Sequence, residues 1–566
     1  MSQIPKPAGF TGRIGRTREA SSPSWPKRAS AKPGAPNIVI VYMDDMGWSD
    51  PGCFGGEIET PNIDRIGREG VRLTQFYNTA RCSPSRASLM TGLHPHQVGV
   101  GILNFDDSPD GYPGDLAEES VTIAEALKGA GYATYLSGKW HLSSDMETPN
   151  ASWPTRRGFD RFFGTLEGAG SFYQPRTLTD QETNVEELGE RPEWFYTDAI
   201  SEHAVQFVEE HDRDRHDDPF FLYLAYTAPH WPLHASEEDI AKYDGRFDAG
   251  WDRLREERLE RLVKEGLLDG DTELAARDPR VPAWEDVPDK DWETRRMEVY
   301  AAQVHRMDQG VGDLLATLER LGRLDNTLIV FLSDNGGCAE EMPPDSVKDF
   351  VTAFVPLKEC TREGETVVPG NVPGLMPGSE ATYQSYGRSW AHLSNTPFRE
   401  YKHWVHEGGI ATPLLVRWPE GIDASVQPVL DRPFQLVDVL PTVLDAAGAS
   451  YPSSRGDVPV PPPEGRSMLE ALRGGDVPDR DLFWEHEGNS AVRSGRWKLV
   501  RKHGQDWELF DIATDRTEQH DLAAEHPDLV ADLARRYDAW AERCGVIPRQ
   551  VVLDLYARRG KGLPPE

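Results

Sequence analysis

Apolar runs alternate along this chain with stretches whose apolar residues recur at helical spacing. Asn37–Met43 reads NIVIVYM, a continuous run of strand length that suits a strand buried on both faces. Asn62–Gly70 (NIDRIGREG) carries helical spacing and stops at a glycine, and Val121–Gly131 (VTIAEALKGAG) does the same. YATYLSG at 132–138, FFLYLAY at 220–226, TLIVFLSD at 327–334 and PLLVRW at 413–418 read as further strands. A long helical pattern covers roughly 292–321. Strands that alternate with helices predict an α/β fold: a large mixed, mostly parallel sheet sandwiched by helices.

The alternation breaks in a few places, and these suggest the domain plan. Residues 1–35 are polar and Pro-rich and read as an N-terminal arm. Residues 36–450 hold the α/β pattern, with insertions at about 235–290 and 339–395. The first insertion is highly charged, and WDRLREERLERLVKEGLL within it reads as a solvated helix. The second is rich in Gly, Pro and Ser and lacks periodicity, as functional or disordered loops often are. Residues 451–465 are Ser- and Pro-rich and read as a linker. Residues 466–566 then carry short runs, LFWEHE, AVRS, RWKLVRK and WELFDI, followed by LVADLARRYDAWAERCG. That predicts a smaller C-terminal α+β domain of antiparallel strands and a terminal helix.

Composition narrows the class. The chain has 566 residues, 38% hydrophobic and 27% charged, which fits a globular protein with a substantial core. No apolar run approaches a membrane span. Lys and Arg number 61 against 94 Asp and Glu, a net charge of −33. Such a charge argues against nucleic acid or a membrane surface as partner. An anionic substrate would need a site that gathers its own positive charge. The five cysteines, Cys53, Cys82, Cys338, Cys360 and Cys544, are odd in number and form no CxxC pair. Neither a disulfide framework nor a structural zinc site is indicated. The N-terminal residues lack the apolar core of a signal peptide, so the chain reads as cytoplasmic.

The chemistry collects where the apolar runs end. Asp44 and Asp45 follow the first run, Lys139 and His141 follow YATYLSG, His230 follows FFLYLAY, and Asp334 and Asn335 end TLIVFLS. A lone Asp at a strand end is ordinarily a turn former. In an open parallel sheet, however, the carboxyl ends of the strands share one edge, where ligands bind. Asp44, Asp45, Asp334 and Asn335 are hard oxygen donors, and three carboxylates together need a cation. Such a set suits Ca²⁺ or Mg²⁺ better than Zn²⁺. In TARCSPSRASLMTG (79–92), Pro84 fits the first turn of a helix, which puts Cys82 at its N-terminus and Arg86 on the same face. Two readings of Cys82 stand side by side: a thiol whose pKa the helix end lowers, or a small buried hydrophobe.

CSPSR followed by ASLMTG resembles the signature of type I sulfatases, C-x-P-S/T-R with a downstream L-x-T-G. The likeness includes the paired Asp44 and Asp45, ETPNIDRIGREG, GKWH at 138–141, APH at 228–230, SDNGG at 333–337, YKHWVHEGG at 401–409 and ELFDIATDRTEQHDL at 508–522. It spans roughly residues 36–545 and is most similar to bacterial arylsulfatases of the alkaline-phosphatase superfamily. The resemblance implies an alkaline-phosphatase-like fold and hydrolysis of sulfate monoesters. It implies that a generating enzyme, a transient partner, oxidises Cys82 to Cα-formylglycine, whose hydrate is the nucleophile. It implies a divalent cation, Ca²⁺ rather than Mg²⁺, held by Asp44, Asp45, Asp334 and Asn335, with residue 82 completing the set. By the same carry-over Arg86 stabilises the hydrate, and Lys139 bridges cation and sulfate. His141 is the base that releases sulfate from residue 82, and His230 and Lys402 bind sulfate and protonate the leaving oxygen.

His234, four residues after His230, is a candidate substrate contact. Trp140, Trp231, Trp390 and Trp404 are candidate walls for an apolar leaving group, with the 339–395 insertion as rim. His406 reads as packing or as a support behind the site, and the other four cysteines as structural or incidental. Two other functions compete: a phosphonate monoester or phosphodiester hydrolase on the same scaffold, and a silent protein that captures sulfated ligands.

Overall fold

The structure is a computed structural model and describes residues 11–24, 29–344, 357–423 and 426–559. Its centre is a ten-stranded sheet. Five strands at its heart run parallel in the order Thr327–Ser333, Asn37–Met43, Phe220–Ala225, Ala133–Gly138, Arg161–Thr165. Leu414–Arg417 pairs antiparallel with Thr327–Ser333 and carries Val71–Leu73 and Val429–Leu430 beyond it. Leu178–Asp180 and Thr183–Asn184 close the opposite edge, antiparallel. Parallel strands need crossovers, and the crossovers lay helices on both faces, so all seven residues of Asn37–Met43 are buried.

Side chains of that strand alternate between two cores. Val39, Val41 and Met43 join a core with residues of the helices Pro61–Glu69, Tyr196–Arg215 and Lys290–Arg320. Ile38, Ile40 and Tyr42 join the other, with residues of Cys82–Thr91, Ile123–Gly129 and Val439–Ala447. Each fully buried Val or Ile stabilises the fold by roughly 1.5–3 kcal/mol, so this strand is a main axis of the core. Local chemistry starts the helices. Thr122 and Glu125 form a reciprocal capping box before Ile123–Gly129, and the Asp289 side chain accepts from Trp292 N to start Lys290–Arg320.

The C-terminal region holds the expected antiparallel sheet, Leu482–His486, Asn489–Ser494, Trp497–Arg501 and Glu508–Asp511. Helix Pro527–Cys544 covers it, with Leu533, Tyr537 and Trp540 against Val492, Leu499 and Leu509. A further helix, Arg549–Arg559, returns to the large domain through Val552, Leu555 and Tyr556, which pack with Ile102 and Tyr112. The sequence pattern did not announce it.

The expected solvated helix is packed instead. Gly250–Lys264 buries Trp251, Leu254, Arg255, Arg258 and Leu262. Its charge pattern misled because Arg258 is a buried ion-pair residue, gripping Glu57 at 2.8 Å and Asp50 at 2.9 Å. The described part of the 339–395 segment carries more regular structure than its composition suggests. It contains Val368–Pro369 paired with Thr382–Tyr383, and the helix Gly387–Ser394. Part of it, 345–356, lies outside the described residues, as do 1–10 and 25–28 of the N-terminal arm. Within the expected linker, Ser454–Arg455 pairs with Val458–Pro459, and Arg455 reaches Glu125 at 2.7 Å. Among the described residues no helix is long and apolar enough to cross a membrane.

Candidate active site

The carboxyl ends of the parallel strands are stitched together by backbone hydrogen bonds. Asp334 N donates to Met43 O, Asp44 N to Ala228 O, and Lys139 N to Ala225 O. This close weave leaves no room for a side chain at Gly138. A Cβ there would sit 1.9 Å from Ala225 O, and its φ of +117° is one that residues with a Cβ rarely adopt. The loops therefore deliver their polar residues to one crevice, as the switch-point rule expects.

Asp44, Asp45, Asp334 and Asn335 lie together there, each at most 1% exposed. Asp334 Oδ1 accepts from Asp45 N at 3.0 Å, and Asn335 Nδ2 donates to Asp45 Oδ1 at 2.7 Å. Three oxygens of this group, Asp44 Oδ1, Asp334 Oδ2 and Asn335 Oδ1, are buried and have no hydrogen-bond partner. Buried acceptors are almost always satisfied, so three orphans in one cluster mark a place built for something else. All are hard oxygen donors, which fits a Ca²⁺- or Mg²⁺-type ion.

The electrostatics agree. Burial and the neighbouring Asp44 and Asp45 push the Asp334 carboxyl well above its ordinary range. Like charges crowded together do this, and Arg86 offsets only part of the rise. Burial presses the same way on Asp44, but Lys139, His230 and Arg86 outweigh it and hold Asp44 ionised.

Helix Cys82–Thr91 points its N-terminus at this cluster. Ligand atoms of Cys82, Asp44 and Asp334 lie within 4.8 Å of one another. Arg86 is fully buried one turn later. It donates to Lys139 O at 2.9 Å and to the Tyr223 hydroxyl at 3.3 Å, and stands 3.9 Å from Asp44 and 3.7 Å from Asp334. Lys139 Nζ donates to Asp44 Oδ2. The Cys82 thiol is pushed up by burial, against the pull of Lys139 and Lys402. This differs from the lowered value that a helix N-terminus alone suggests. The desolvation of a 3%-exposed side chain outweighs the dipole.

On the other side, Lys402 Nζ donates to Asp45 Oδ2 at 2.8 Å and meets His230 Nε2 at 3.3 Å. His230 Nδ1 lies 2.7 Å from Trp231 O and donates to it, which leaves Nε2 as the acceptor facing Lys402. Burial opposes the Lys402 charge, but Asp45 restores it, so the ammonium persists. His141 closes the site, 6% exposed with Nδ1 unpartnered. Burial first, then Lys139 and Arg86, hold its pKa well below the ordinary histidine value, so it is a neutral imidazole. Gly168 allows its ring to fit, since a Cβ there would lie 2.3 Å from His141 Cε1.

The structure thus gathers Asp44, Asp45, Cys82, Arg86, Lys139, His141, His230, Asp334, Asn335 and Lys402. It does not add His234 to them. Both nitrogens of that ring serve backbone: Nε2 meets Thr382 O at 2.7 Å, and Nδ1 accepts from Phe172 N at 3.3 Å. His234 pins the 339–395 segment to the loop that carries Phe172. Of the four tryptophans, Trp140 and Trp390 are wholly buried, and Trp390 packs with Phe247, Trp251 and Trp284. Trp404 packs on His403 and Lys502. Trp231 lies tilted against His230, with ring centres 4.4 Å apart. His406 is buried and pairs with Glu508 at 3.1 Å, which is packing.

Two charged residues beside the site escaped the sequence reading, Arg81 and Glu340, paired at 2.8 Å. The signal was adjacency: Arg81 precedes Cys82, and Glu340 follows SDNGG.

Comparison with known proteins places this site in a family. Residues 36–449 match the Sulfatase family model, and residues 399–541 match the model "N-sulphoglucosamine sulphohydrolase, C-terminal". An uncharacterized sulfatase of Schizosaccharomyces pombe is 32% identical over 559 residues, covering 92% of this chain and 96% of that protein. An arylsulfatase of Klebsiella aerogenes is 33% identical over 471 residues, 78% of this chain and 92% of that one. The crystal structure of Ps i-CgsB superposes with a TM-score of 0.64 at 25% identity, covering 93% of this chain and 98% of that chain. A family match across most of the chain, two full-length relatives and a shared fold lead to one conclusion: this chain belongs to the sulfatase family.

Proposed function

We infer that the chain hydrolyses sulfate monoesters to an alcohol or phenol plus sulfate, with residue 82 as nucleophile. The observation that carries this reading is the cluster of orphaned oxygens on Asp44, Asp334 and Asn335, set against the N-terminus of the helix that begins at Cys82. Asp44, Asp45, Asp334 and Asn335 would hold a divalent cation of the Ca²⁺ or Mg²⁺ type, as the all-oxygen donor set allows, and the family resemblance favours Ca²⁺. When bound, such an ion supplies Lewis acidity and lowers the pKa of a hydroxyl beside it. Cys82, converted to formylglycine, supplies as its hydrate the hydroxyl that attacks sulfur.

The protein's own residues do the rest. Asp44, Asp45 and Asp334 balance Arg86, Lys139 and Lys402 in formal charge, so a dication makes the crevice net positive. That supports the capture of an anionic ester by a protein whose overall charge is −33. Arg86, anchored by Lys139 O and Tyr223, orients residue 82. Lys139 and Lys402 hold sulfate oxygens. The Lys402–His230 pair carries a proton that can pass to the leaving oxygen. His141, held neutral with an open nitrogen, takes a proton from residue 82 when sulfate departs.

Mass spectrometry of the peptide containing residue 82 tests this, on protein made with and without a formylglycine-generating enzyme. A loss of about 18 Da that tracks with hydrolysis of 4-nitrophenyl sulfate supports the nucleophile. Full activity with unmodified cysteine would overturn it. Faster turnover of a matched aryl phosphonate would move the chain to phosphonate or phosphodiester hydrolysis. Binding without turnover, in protein that carries the modification, would leave a capture protein.

A further inference from the structure

We propose that Glu340 is a positioning residue for the leaving-group side of the reaction, tying the helix that bears residue 82 to the loop that bears His230. The inference rests on the reading above, in which the Lys402–His230 pair protonates the leaving oxygen.

Both carboxylate oxygens of Glu340 are committed, each to a different wall of the site. Oε1 accepts from Arg81 Nη1 at 2.8 Å, and Oε2 accepts from Trp231 Nε1 at 2.8 Å. Arg81 is the N-cap residue of the helix Cys82–Thr91. Trp231 follows His230, accepts a hydrogen bond from its Nδ1 on the main-chain carbonyl, and lays its indole against the imidazole. The position of His230 Nε2 relative to residue 82 is therefore set through one acidic side chain. Without Glu340 the indole N–H loses its only hydrogen-bond acceptor among the described residues, and packing against Tyr383 and His230 alone sets the tilt of the ring.

Glu340 stays charged in this setting. Burial opposes ionisation, but Arg81 first, then Lys402 and His230, hold the carboxyl well below its ordinary range. Hydrogen bonds to a charged acceptor are about twice as strong as neutral ones, and two on one carboxylate fix direction as well as distance. Glu340 is also the first link to the 339–395 segment. Its main-chain carbonyl accepts from Ser385 Oγ at 2.6 Å, and Tyr383 packs on Trp231 with ring centres 5.9 Å apart. The segment expected to rim the leaving-group pocket thus touches the proton donor through Glu340 and Trp231. An ion pair kept for folding alone would have no reason to reach the ring that packs on the proton donor. Arg81 and Glu340, at 15% and 22% side-chain exposure, would then be an ordinary rim pair.

Leaving-group dependence separates the two roles. A defect in proton donation slows a poor leaving group more than a good one, because a stable phenolate departs without help. The variants are Glu340→Gln, Glu340→Asp and Trp231→Phe, beside His230→Ala as reference. Each is compared with wild type on a series of aryl sulfates graded by phenol acidity, with the mass at residue 82 measured in every preparation. Glu340→Gln and Trp231→Phe should lose about tenfold in kcat on the most activated ester and about 10²-fold on the least activated. KM should stay within about threefold. Glu340→Asp should recover part of the loss. The double variant should be little worse than either single one, since both cut the same tie.

An equal loss across the series, or a loss that follows a lowered melting temperature, would overturn the positioning role. If His230→Ala steepens the series and Glu340→Gln does not, the positioning role alone fails. If His230→Ala leaves the slope unchanged, the proton-donor assignment beneath it fails as well.

Discussion

Asp44, Asp45 and Asp50 leave the same strand end within one loop, all three are buried, and yet they join two different kinds of charge cluster. Around Asp50 every oxygen is used. Oδ1 accepts from Arg258 Nη1 at 2.9 Å, and Oδ2 accepts from Gly47 N at 2.9 Å and the Tyr300 hydroxyl at 2.7 Å. Arg258 spends its remaining donors on Glu57, Ser49 and Leu393 O. Around Asp44 the acceptors are left open: Asp44 Oδ1, Asp334 Oδ2 and Asn335 Oδ1 accept no hydrogen bond, and Arg86 stands 3.7–3.9 Å from the two carboxylate oxygens, beyond hydrogen-bond reach. Burial is equal and so is the residue type. What separates structure from chemistry is whether the acceptors are closed off. A satisfied cluster holds a fold together; an unsatisfied one waits for a ligand.

The comparison breaks most sharply by exchanging the expected losses. Asp334→Ala should cut sulfate-ester turnover on the order of 10⁴-fold or more. It should also abolish the rise in melting temperature on adding Ca²⁺, because a ligand stabilises only what it binds. In chelator the same variant should fold no less stably than wild type, since removing one of three crowded carboxylates relieves repulsion. A variant that keeps the full Ca²⁺ response would show that the orphaned oxygens are not the ion site.

Arg258→Met should do the reverse. It strands Asp50 and Glu57 without their shared counter-charge, a loss of about 3–5 kcal/mol in denaturant unfolding. The surviving folded fraction should still respond to Ca²⁺. If Arg258→Met leaves stability untouched, the Asp50 cluster is not the structural counterpart described here.

These two clusters were not equally legible in the sequence. Asp44, Asp45, Asp334 and Asn335 could be found because parallel strands bring their carboxyl ends to one edge, and the strands themselves were plain apolar runs. Cys82 and Arg86 could be found because Pro84 marks a helix start. Arg258 could not, because in WDRLREERLERLVKEGLL it looks like every other charge on a solvated face. Its burial depends on Glu57 and Asp50, some two hundred residues away, and no local pattern encodes that. His234 was misplaced for a related reason. Four residues of irregular backbone after His230 do not fix a direction, and the ring turned to Thr382 O instead of the crevice. Cys82 was found, but its acidity was not, since burial is a tertiary property.

A third buried carboxyl sharpens the contrast by pH. Glu167, 7% exposed, has its pKa pushed up to about 8, by burial first, against the pull of Arg176 and with Glu186 adding to the rise. Its folded pKa lies above the unfolded value of roughly 4.3. As pH rises past that value the unfolded chain loses its proton first, so stability falls between about pH 4 and 8 and then levels. Glu167→Gln carries no such proton. It should match wild type near pH 4 and be more stable at pH 8 by an amount on the order of 4–5 kcal/mol, read from denaturant midpoints. An unchanged difference between the two pH values would mean that Glu167 is charged in the fold and belongs with the satisfied group.

The smallest effect is expected one turn before Arg258 on the same helix. Arg253 also pairs with acids, Glu257 at 2.9 Å and Glu256 at 3.2 Å, but its side chain is 55% exposed. Water already solvates both partners there. The Coulomb gain is screened, and holding long side chains in one geometry costs entropy, so the two nearly cancel. Arg253→Ala should move the melting temperature by no more than about a degree, and less still at high salt. Arg253 and Arg258 share a helix, a residue type and acidic partners at nearly the same distance. A large effect at Arg253 would mean that distance and charge suffice. A negligible one beside the loss at Arg258 would leave desolvation as the cause, the same cost that the buried, unpartnered oxygens around Asp44 carry.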